Sequence, residues 1–163
     1  MVVQLALRDG ATVVGVVADD EQAASLPPGV EAVLSNDPAR TAELARDRPA
    51  SLLVDTLGGA GLGDRCGWVR PGGRAVAIGY VAGTQLALDL PNWLLRDVAL
   101  LPVNMIRRDR EARRLAAELA PLLVDGELTV DVERFEFEEA GRALELLASG
   151  KLRGRAVLVP RES

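Results

Sequence analysis

Polar side chains and glycines follow two short apolar runs of the chain. The first run, Ser51 to Thr56, carries Asp55 near its carboxyl end and continues into Gly58. The second, Arg74 to Gly79, ends in a glycine and is followed by Tyr80, the only tyrosine. Apolar runs of this length between turn residues predict buried parallel strands. Open α/β sheets bind ligands beyond the carboxyl ends of their strands, and a glycine there lets a ligand approach the backbone. The pattern therefore predicts a ligand crevice at this edge.

Three side chains near such strand ends are candidate catalytic groups, namely Asp55, Tyr80 and Asn104. Burial would raise the pKa of Asp55 and suit it to acid–base chemistry, whereas hydrogen bonds to loop amides would make it structural. Tyr80 can donate a hydrogen bond inside a pocket or simply cover the sheet edge. Asn104 follows a third apolar run and can either orient a carbonyl group or cap its own loop. Both interpretations stay open for each residue.

Composition excludes several kinds of site. The chain has no histidine and a single cysteine, Cys66. A Ser-His-Asp triad, a Cys-His pair and a thiolate zinc site are therefore excluded for this chain alone, and we expect no bound metal. The formal net charge of -5 argues against non-specific binding to nucleic acid or to an anionic membrane. No segment reaches the roughly 18 apolar residues of a membrane span. A lone thiol suits a reducing compartment, so we expect a cytoplasmic protein.

The elements that must position these residues are strands and helices in alternation. Over the first hundred residues this alternation predicts an α/β fold with a parallel sheet, flanking helices and right-handed crossovers. Beyond residue 106 it gives way to two amphipathic helices and a short closing strand. We therefore expect a sheet region at residues 1–106 and a C-terminal helical appendage at residues 107–163, packed on the same core.

Five segments of the chain, taken in order, carry a resemblance to a known protein family. They are VVQLALRDGATVVGVV, LLVDTLGG, VRPGGRAVAIGYVAG, LLRDVALLPVN and FEFEEAGRALELLASGKLRGRAVLVP. In this order they resemble the C-terminal half of a medium-chain dehydrogenase/reductase of the zinc-free, quinone oxidoreductase-like kind. The resemblance implies a truncated Rossmann-like sheet. It also implies an oxidoreductase related to NAD(P)H-dependent quinone and enoyl reductases.

The resemblance also implies a nicotinamide cofactor site. Its cofactor-binding residues would be Asp19, Thr56, Gly58, Gly79 and Tyr80. Asp19 follows the segment that resembles the family's second strand, where the adenine ribose is bound. A carboxylate there accepts hydrogen bonds from ribose hydroxyls and repels a 2′-phosphate, which would favour NAD over NADP. The alternative is that Asp19 and its neighbour Asp20 cap the next helix.

Two parts of the family pattern lie outside this sequence. The family's first strand with its glycine-rich phosphate loop, and the GroES-like N-terminal domain, would both precede Met1. The segment GGAGLG at residues 58–63 does not replace the loop, because it follows a later strand and lacks the last glycine of the motif. NAD(P)H binding is thus implied by the resemblance and weakened by the absent loop.

Three functions remain compatible with the sequence. The first is an oxidoreductase fragment or subunit that works with a missing N-terminal half. The second is a truncated family member without redox activity that catalyses a cofactor-free cyclisation or isomerisation in the strand-end crevice. The third is a binding module that forms a homodimer through the strand corresponding to the family's sixth, since unpaired strand edges must find partners.

Overall fold

The computed structural model describes residues 1–152 and 154–161. It contains two compact units, Gly10–Ala112 and Met1–Asp9 together with Arg113–Ser163. The α-helices are α1 (Val2–Arg8), α2 (Asp20–Ala24), α3 (Pro38–Asp47), α4 (Leu62–Cys66), α5 (Leu90–Arg96), α6 (Asp109–Val124) and α7 (Ala140–Ala148). The strands are β1 (Val14–Val17), β2 (Glu31–Leu34), β3 (Ala50–Asp55), β4 (Val69–Ala77), β5 (Ala99–Pro102), β6 (Val132–Glu136) and β7 (Arg155–Val159).

The larger unit, Gly10–Ala112, contains strands β1 to β5, all of them in parallel pairs. Strand β1 pairs with β2, and a separate sheet has the order β3-β4-β5. In that sheet Val76 of β4 lies opposite Val54 on one side and Leu101 on the other. A small aliphatic core lies against it and includes Leu62, Cys66, Val69, Ala75 and Val98. The α/β class with parallel pairing and flanking helices is therefore confirmed.

Local sequence signals explain where the helices begin. Helix α3 has Asp37 at its N-cap, where the carboxylate accepts a 2.9 Å hydrogen bond from the Arg40 amide, and Pro38 fills the first position. Helix α5 repeats the arrangement, with Asp89 as the cap and a proline in the first turn. Both solutions supply an acceptor to helix amides that otherwise lack one. This is why these helices begin where the sequence places them.

The strands of the larger unit form two separate ladders. Among the described residues, β1 pairs only with β2, and β3 and β5 pair only with β4, so β3 and β5 are the edge strands of the three-stranded sheet. The chain passes from β2 to β3 through helix α3. Residues 85–89 belong to no strand or helix among the described residues, and α5 begins at Leu90.

The smaller unit combines both ends of the chain. Strands β6 and β7 pair in parallel, with Phe135 opposite Leu158. The side chain of Gln4 on α1 accepts a 2.9 Å hydrogen bond from the Thr129 amide and donates to the carbonyl of the same residue. Helix α1 therefore groups with the C-terminal residues, whereas the sequence placed it in the region 1–106. No helix within the described ranges is long and apolar enough to cross a membrane.

Candidate functional site

Asp55 is the centre of a hydrogen-bond network at the carboxyl end of β3. It is 3% exposed and is the buried charged residue among those described. Its Oδ1 accepts hydrogen bonds from the amides of Leu57 at 3.1 Å and Gly58 at 2.6 Å. This arrangement matches the structural interpretation of Asp55, in which the carboxylate folds the following loop around itself.

Arg65 of α4 completes the network from the other side. Its Nε donates to Asp55 Oδ2 at 2.5 Å, and its second terminal nitrogen donates to the Gly58 carbonyl at 2.7 Å. The Arg65 side chain is 16% exposed, so little water competes for these bonds. One guanidinium thereby ties the end of β3, the loop after it and α4 together. We call Asp55, Gly58 and Arg65 the carboxylate clamp.

The carboxylate clamp determines the direction in which the pKa of Asp55 is shifted. Burial does push the pKa of this carboxyl upward, as the sequence suggested. The hydrogen bond and charge of Arg65, with the two loop amides, outweigh burial and leave the pKa below its ordinary value. Of the two interpretations that the sequence left open for Asp55, the lowered pKa agrees with the structural one, and the contact with Arg65 ten residues later could not be read from the sequence.

Gly58 and Gly79 hold two loops against each other. Gly58 has φ +65°, and a Cβ there would lie 2.6 Å from the Gly79 carbonyl oxygen. A Cβ on Gly79 would in turn collide with the carbonyl of Thr56. The amide of Ala82 also donates to the Leu57 carbonyl at 2.8 Å. The side-chain position of each glycine is thus filled by backbone of the neighbouring loop, whereas the sequence had suggested space for a ligand.

The remaining predicted groups lie at the same edge of the β3-β4-β5 sheet. Thr56 follows β3, Tyr80 follows β4 and is 74% exposed, and Asn104 follows β5. The Asn104 Oδ1 accepts a 3.0 Å hydrogen bond from the Arg107 amide, so this side chain caps its own loop while its amide nitrogen remains available. Thr56 and Tyr80 make no side-chain hydrogen bond to another described residue.

Asp19 lies apart from these groups, after β1 of the other sheet. Its carboxylate accepts a 2.8 Å hydrogen bond from the Gln22 amide and so caps α2. The side-chain oxygen of Gln22 in turn accepts a 3.0 Å hydrogen bond from the amide of Ala18, the residue before Asp19. The helix-cap interpretation of Asp19 is confirmed, and the capping bond occupies one of its two carboxylate oxygens.

Metal donors are not gathered anywhere in the part of the chain that the structure describes. No group of three or more Cys, Asp or Glu side chains there could hold an ion. Cys66 is buried, and burial together with the nearby Asp55 charge raises the pKa of its thiol. A zinc ion needs thiolate, imidazole or carboxylate ligands in a tetrahedral group, and the side chains of residues 1–152 and 154–161 do not provide one.

Sequence reasoning missed Arg65 as part of the site. It identified Asp55, Thr56, Gly58, Gly79, Tyr80 and Asn104, which share one sheet edge, but not the guanidinium that fixes that edge. The only local signal is that Arg65 lies in the last turn of α4, the short helix that follows the glycines at residues 58–61. Nothing in the spacing from residue 55 to 65 marks the contact, since the loop must fold back before the two side chains meet.

Comparison with known proteins places the chain among dehydrogenases. Residues 28–158 match a family model described as zinc-binding dehydrogenase. No match was found among curated protein sequences.

Solved structures give the same picture for the fold. Escherichia coli quinone oxidoreductase complexed with NADPH is similar, with 21% identity and a TM-score of 0.82, over 97% of this chain and 52% of that one. A quinone oxidoreductase of Pseudomonas syringae gives 23% identity and a TM-score of 0.80, over 97% and 52%. The alcohol dehydrogenase of Aeropyrum pernix gives 26% identity and 0.76, over 97% and 46%. The chain spans about half the length of these structures.

Proposed function

This chain belongs to the zinc-binding dehydrogenase family, and from that membership we propose that it supplies the nicotinamide-binding part of an NAD(P)H-dependent quinone or enoyl reductase. The observation that carries the proposal is the sheet edge where Thr56, Tyr80 and Asn104 follow three adjacent parallel strands. Ligands of open α/β sheets bind at such an edge. The similar E. coli quinone oxidoreductase was solved with NADPH, which supports a nicotinamide cofactor without distinguishing NADH from NADPH.

Each group at the edge has a proposed task. The Thr56 hydroxyl, the Tyr80 phenol and the free amide nitrogen of Asn104 hold the nicotinamide end and the substrate carbonyl by hydrogen bonds. Asp55 is ionised, and as part of the carboxylate clamp it keeps the loop of Thr56 in place. Backbone at Gly58 and Gly79 forms the floor of the crevice. The cofactor, when bound, supplies the hydride, so no protein nucleophile or metal is required.

The proposed preference for NAD over NADP depends on Asp19 and Asp20. These carboxylates follow β1, and only one oxygen of Asp19 is engaged by the helix cap. The remaining oxygen can accept a hydrogen bond from a ribose hydroxyl, and both carboxylates would repel a 2′-phosphate. The Asp19→Asn variant removes one negative charge and keeps the helix cap. It should therefore reduce the difference in affinity between NAD and NADP.

A partner is part of the proposal, because strand β5 lies at an edge of its sheet among the described residues. We propose pairing through β5, which corresponds to the family's sixth strand. Among the described residues β5 pairs only with β4, and Leu101 on it is 43% exposed. Two copies that join these edges would satisfy the free backbone groups of both.

Titration of the purified chain with NADH and NADPH, followed by nicotinamide fluorescence, tests the cofactor proposal. We expect saturable binding with a Kd below about 1 mM, tighter for NADH, and weaker in Thr56→Val and Tyr80→Phe. Thr12→Val is the matched control, since Thr12 is an exposed threonine two residues before β1. A wild-type chain with no saturable signal for either cofactor would overturn the proposal.

Light scattering tests the partner. We expect a mass of twice 17.3 kDa for the wild type and a single-chain mass for Leu101→Asp. Val132→Asp, which alters an exposed valine on β6, is the control and should leave the mass unchanged. A wild type that stays monomeric contradicts pairing through β5.

A further inference from the structure

A pocket of about 310 Å³ lies at the opposite, amino-terminal end of β3 and β4. Its lining consists of Ser51, Leu52, Arg70, Gly72, Gly73 and Arg74. Strand β3 runs from this pocket to Asp55, a span of roughly 13 Å at the usual rise per residue. The pocket is therefore separate from the crevice to which the cofactor is assigned.

An irregularity in the pairing of β3 and β4 builds the pocket. Ala50 lies opposite Val69, but Leu52 lies opposite Arg74, so β4 makes an excursion between those two points. Gly72 in this excursion has φ +73°, a conformation that other residues rarely adopt. Gly73 is buried and has no space for a Cβ, because the Val69 side chain and the Ser51 carbonyl lie against it. The backbone thus folds tightly enough to present residues 70 and 74 around one opening.

The charge of this opening is uncompensated. Arg70 and Arg74 are both exposed, and neither forms an ion pair with another described residue. By contrast, Arg40 and Arg48 both bind Glu31, and Arg65 binds Asp55. No carboxylate is among the lining residues, and the Ser51 hydroxyl makes no hydrogen bond to the part of the chain that the structure describes. The pocket therefore offers donors and positive charge without an internal acceptor.

We propose that this pocket binds the phosphate group of a small molecule. A guanidinium donates two parallel hydrogen bonds to phosphate oxygens, and two guanidiniums match the charge of a phosphate dianion. The Ser51 hydroxyl supplies a further donor. A volume of about 310 Å³ suits a small phosphate ester and is at the lower end for ligand sites. The proposal does not depend on the chain binding a nicotinamide cofactor.

Calorimetric titration of the full chain with inorganic phosphate at constant ionic strength tests the site. We expect one saturable site per chain, with affinity reduced about tenfold or more in Arg70→Gln and in Arg74→Gln, since each removes charge-assisted hydrogen bonds. Arg110→Gln is the matched control, because Arg110 is exposed and lies outside the pocket. It should leave the phosphate affinity unchanged. Circular dichroism should report the same fold for all three variants.

Three results would overturn the assignment. One is a wild-type titration in which phosphate gives no more heat than chloride. Another is a loss of phosphate affinity in Arg110→Gln as large as in the pocket variants. Such a loss would mean that phosphate responds to positive charge anywhere on the chain and has no specific site in the pocket. The third is tighter binding of succinate than of phosphate, which would make the ligand a dicarboxylate. NADH titration of Arg70→Gln separates this site from the crevice, since loss of the phosphate site should leave the NADH signal intact.

Discussion

The two ends of the β3–β4 pair use arginine in opposite ways. At the carboxyl end the Arg65 guanidinium is mostly covered and is bonded to the Asp55 carboxylate and the Gly58 carbonyl. At the amino end Arg70 and Arg74 are exposed and have no ion pair among the described residues. The first arrangement fixes backbone, whereas the second leaves charge for an external anion.

This difference determines what a substitution can reveal at each end. A buried carboxylate that loses its partner remains buried, so the energetic cost appears as instability of the fold. An exposed guanidinium without a partner is already hydrated, and its removal changes ligand affinity while the fold keeps its stability. Stability measurements therefore address the carboxyl end, and binding measurements address the amino end.

The largest effect is expected for Arg65→Ala. Asp55 is 3% exposed, and removing one partner of a buried ion pair costs about 3–5 kcal/mol of unfolding free energy. Urea denaturation measures the loss. Arg46→Ala is the matched control, because Arg46 pairs with Asp47 on the surface and should matter little. A small loss for Arg65→Ala would mean that the carboxylate clamp does not fix this end of the sheet.

The next effect is expected for Gly79→Ala. Its new Cβ would meet the Thr56 carbonyl, so the two loops must separate at a cost on the order of 1–3 kcal/mol. Gly141→Ala is the control, because that helical glycine has nothing within 4 Å and an ordinary φ. Thermal unfolding should show a loss for the first variant and no loss for the second. Equal thermal stability of the two variants would contradict the close contact between the loops.

A smaller effect is the pH dependence that Asp55 confers. The pKa of this carboxyl is lowered in the folded chain, chiefly by Arg65 against the opposing effect of burial. Its contribution to stability is therefore fully present above the ordinary aspartate pKa of about 3.9 and is lost as pH falls through the lower folded value. The stability gap between wild type and Asp55→Asn should shrink on acidification below about pH 4. A gap that grows on acidification would contradict a lowered pKa.

The smallest change in stability is expected at the amino end. Arg70→Gln and Arg74→Gln should each alter the unfolding free energy by less than about 0.5 kcal/mol, as is usual for surface substitutions without partners. Chemical denaturation in phosphate-free buffer measures this. Added phosphate should then stabilise the wild type more than either variant, because a ligand that binds the folded state shifts its apparent stability. A large loss without phosphate would assign these arginines a structural role.

Local features of the fold could be predicted because neighbouring residues dictate them. Helix α3 begins at an aspartate cap followed by a proline, and strand β2 coincides with a short apolar run, so local residues mark both. The same holds for Asp19 as a helix cap. Strand β6 was harder, since its sequence alternates weakly and it becomes a strand by pairing with β7, a partner distant in the chain. Pairing between distant strands has no local signature.

The candidate site divides in the same way. Apolar runs and their closing polar residues were enough to place Asp55, Thr56, Tyr80 and Asn104 at one sheet edge, because parallel strands direct their carboxyl ends the same way. The sequence did not indicate the use of the glycines. The sequence suggested that Gly58 and Gly79 leave space for a ligand. In the structure, backbone atoms of the neighbouring loop occupy that space.

By itself the sequence determined the α/β class and the edge of the sheet that carries the polar groups, since periodicity and turn residues act locally. The family followed from a resemblance in the order of its segments. Only the tertiary structure decided which charges are engaged. Asp55 meets Arg65 because α4 folds back over the loop, and residues 70 and 74 surround one pocket because β4 departs from its register with β3. Charge pairing depends on distances between side chains. Those distances are set by how the backbone folds over many residues, and a linear pattern does not contain them.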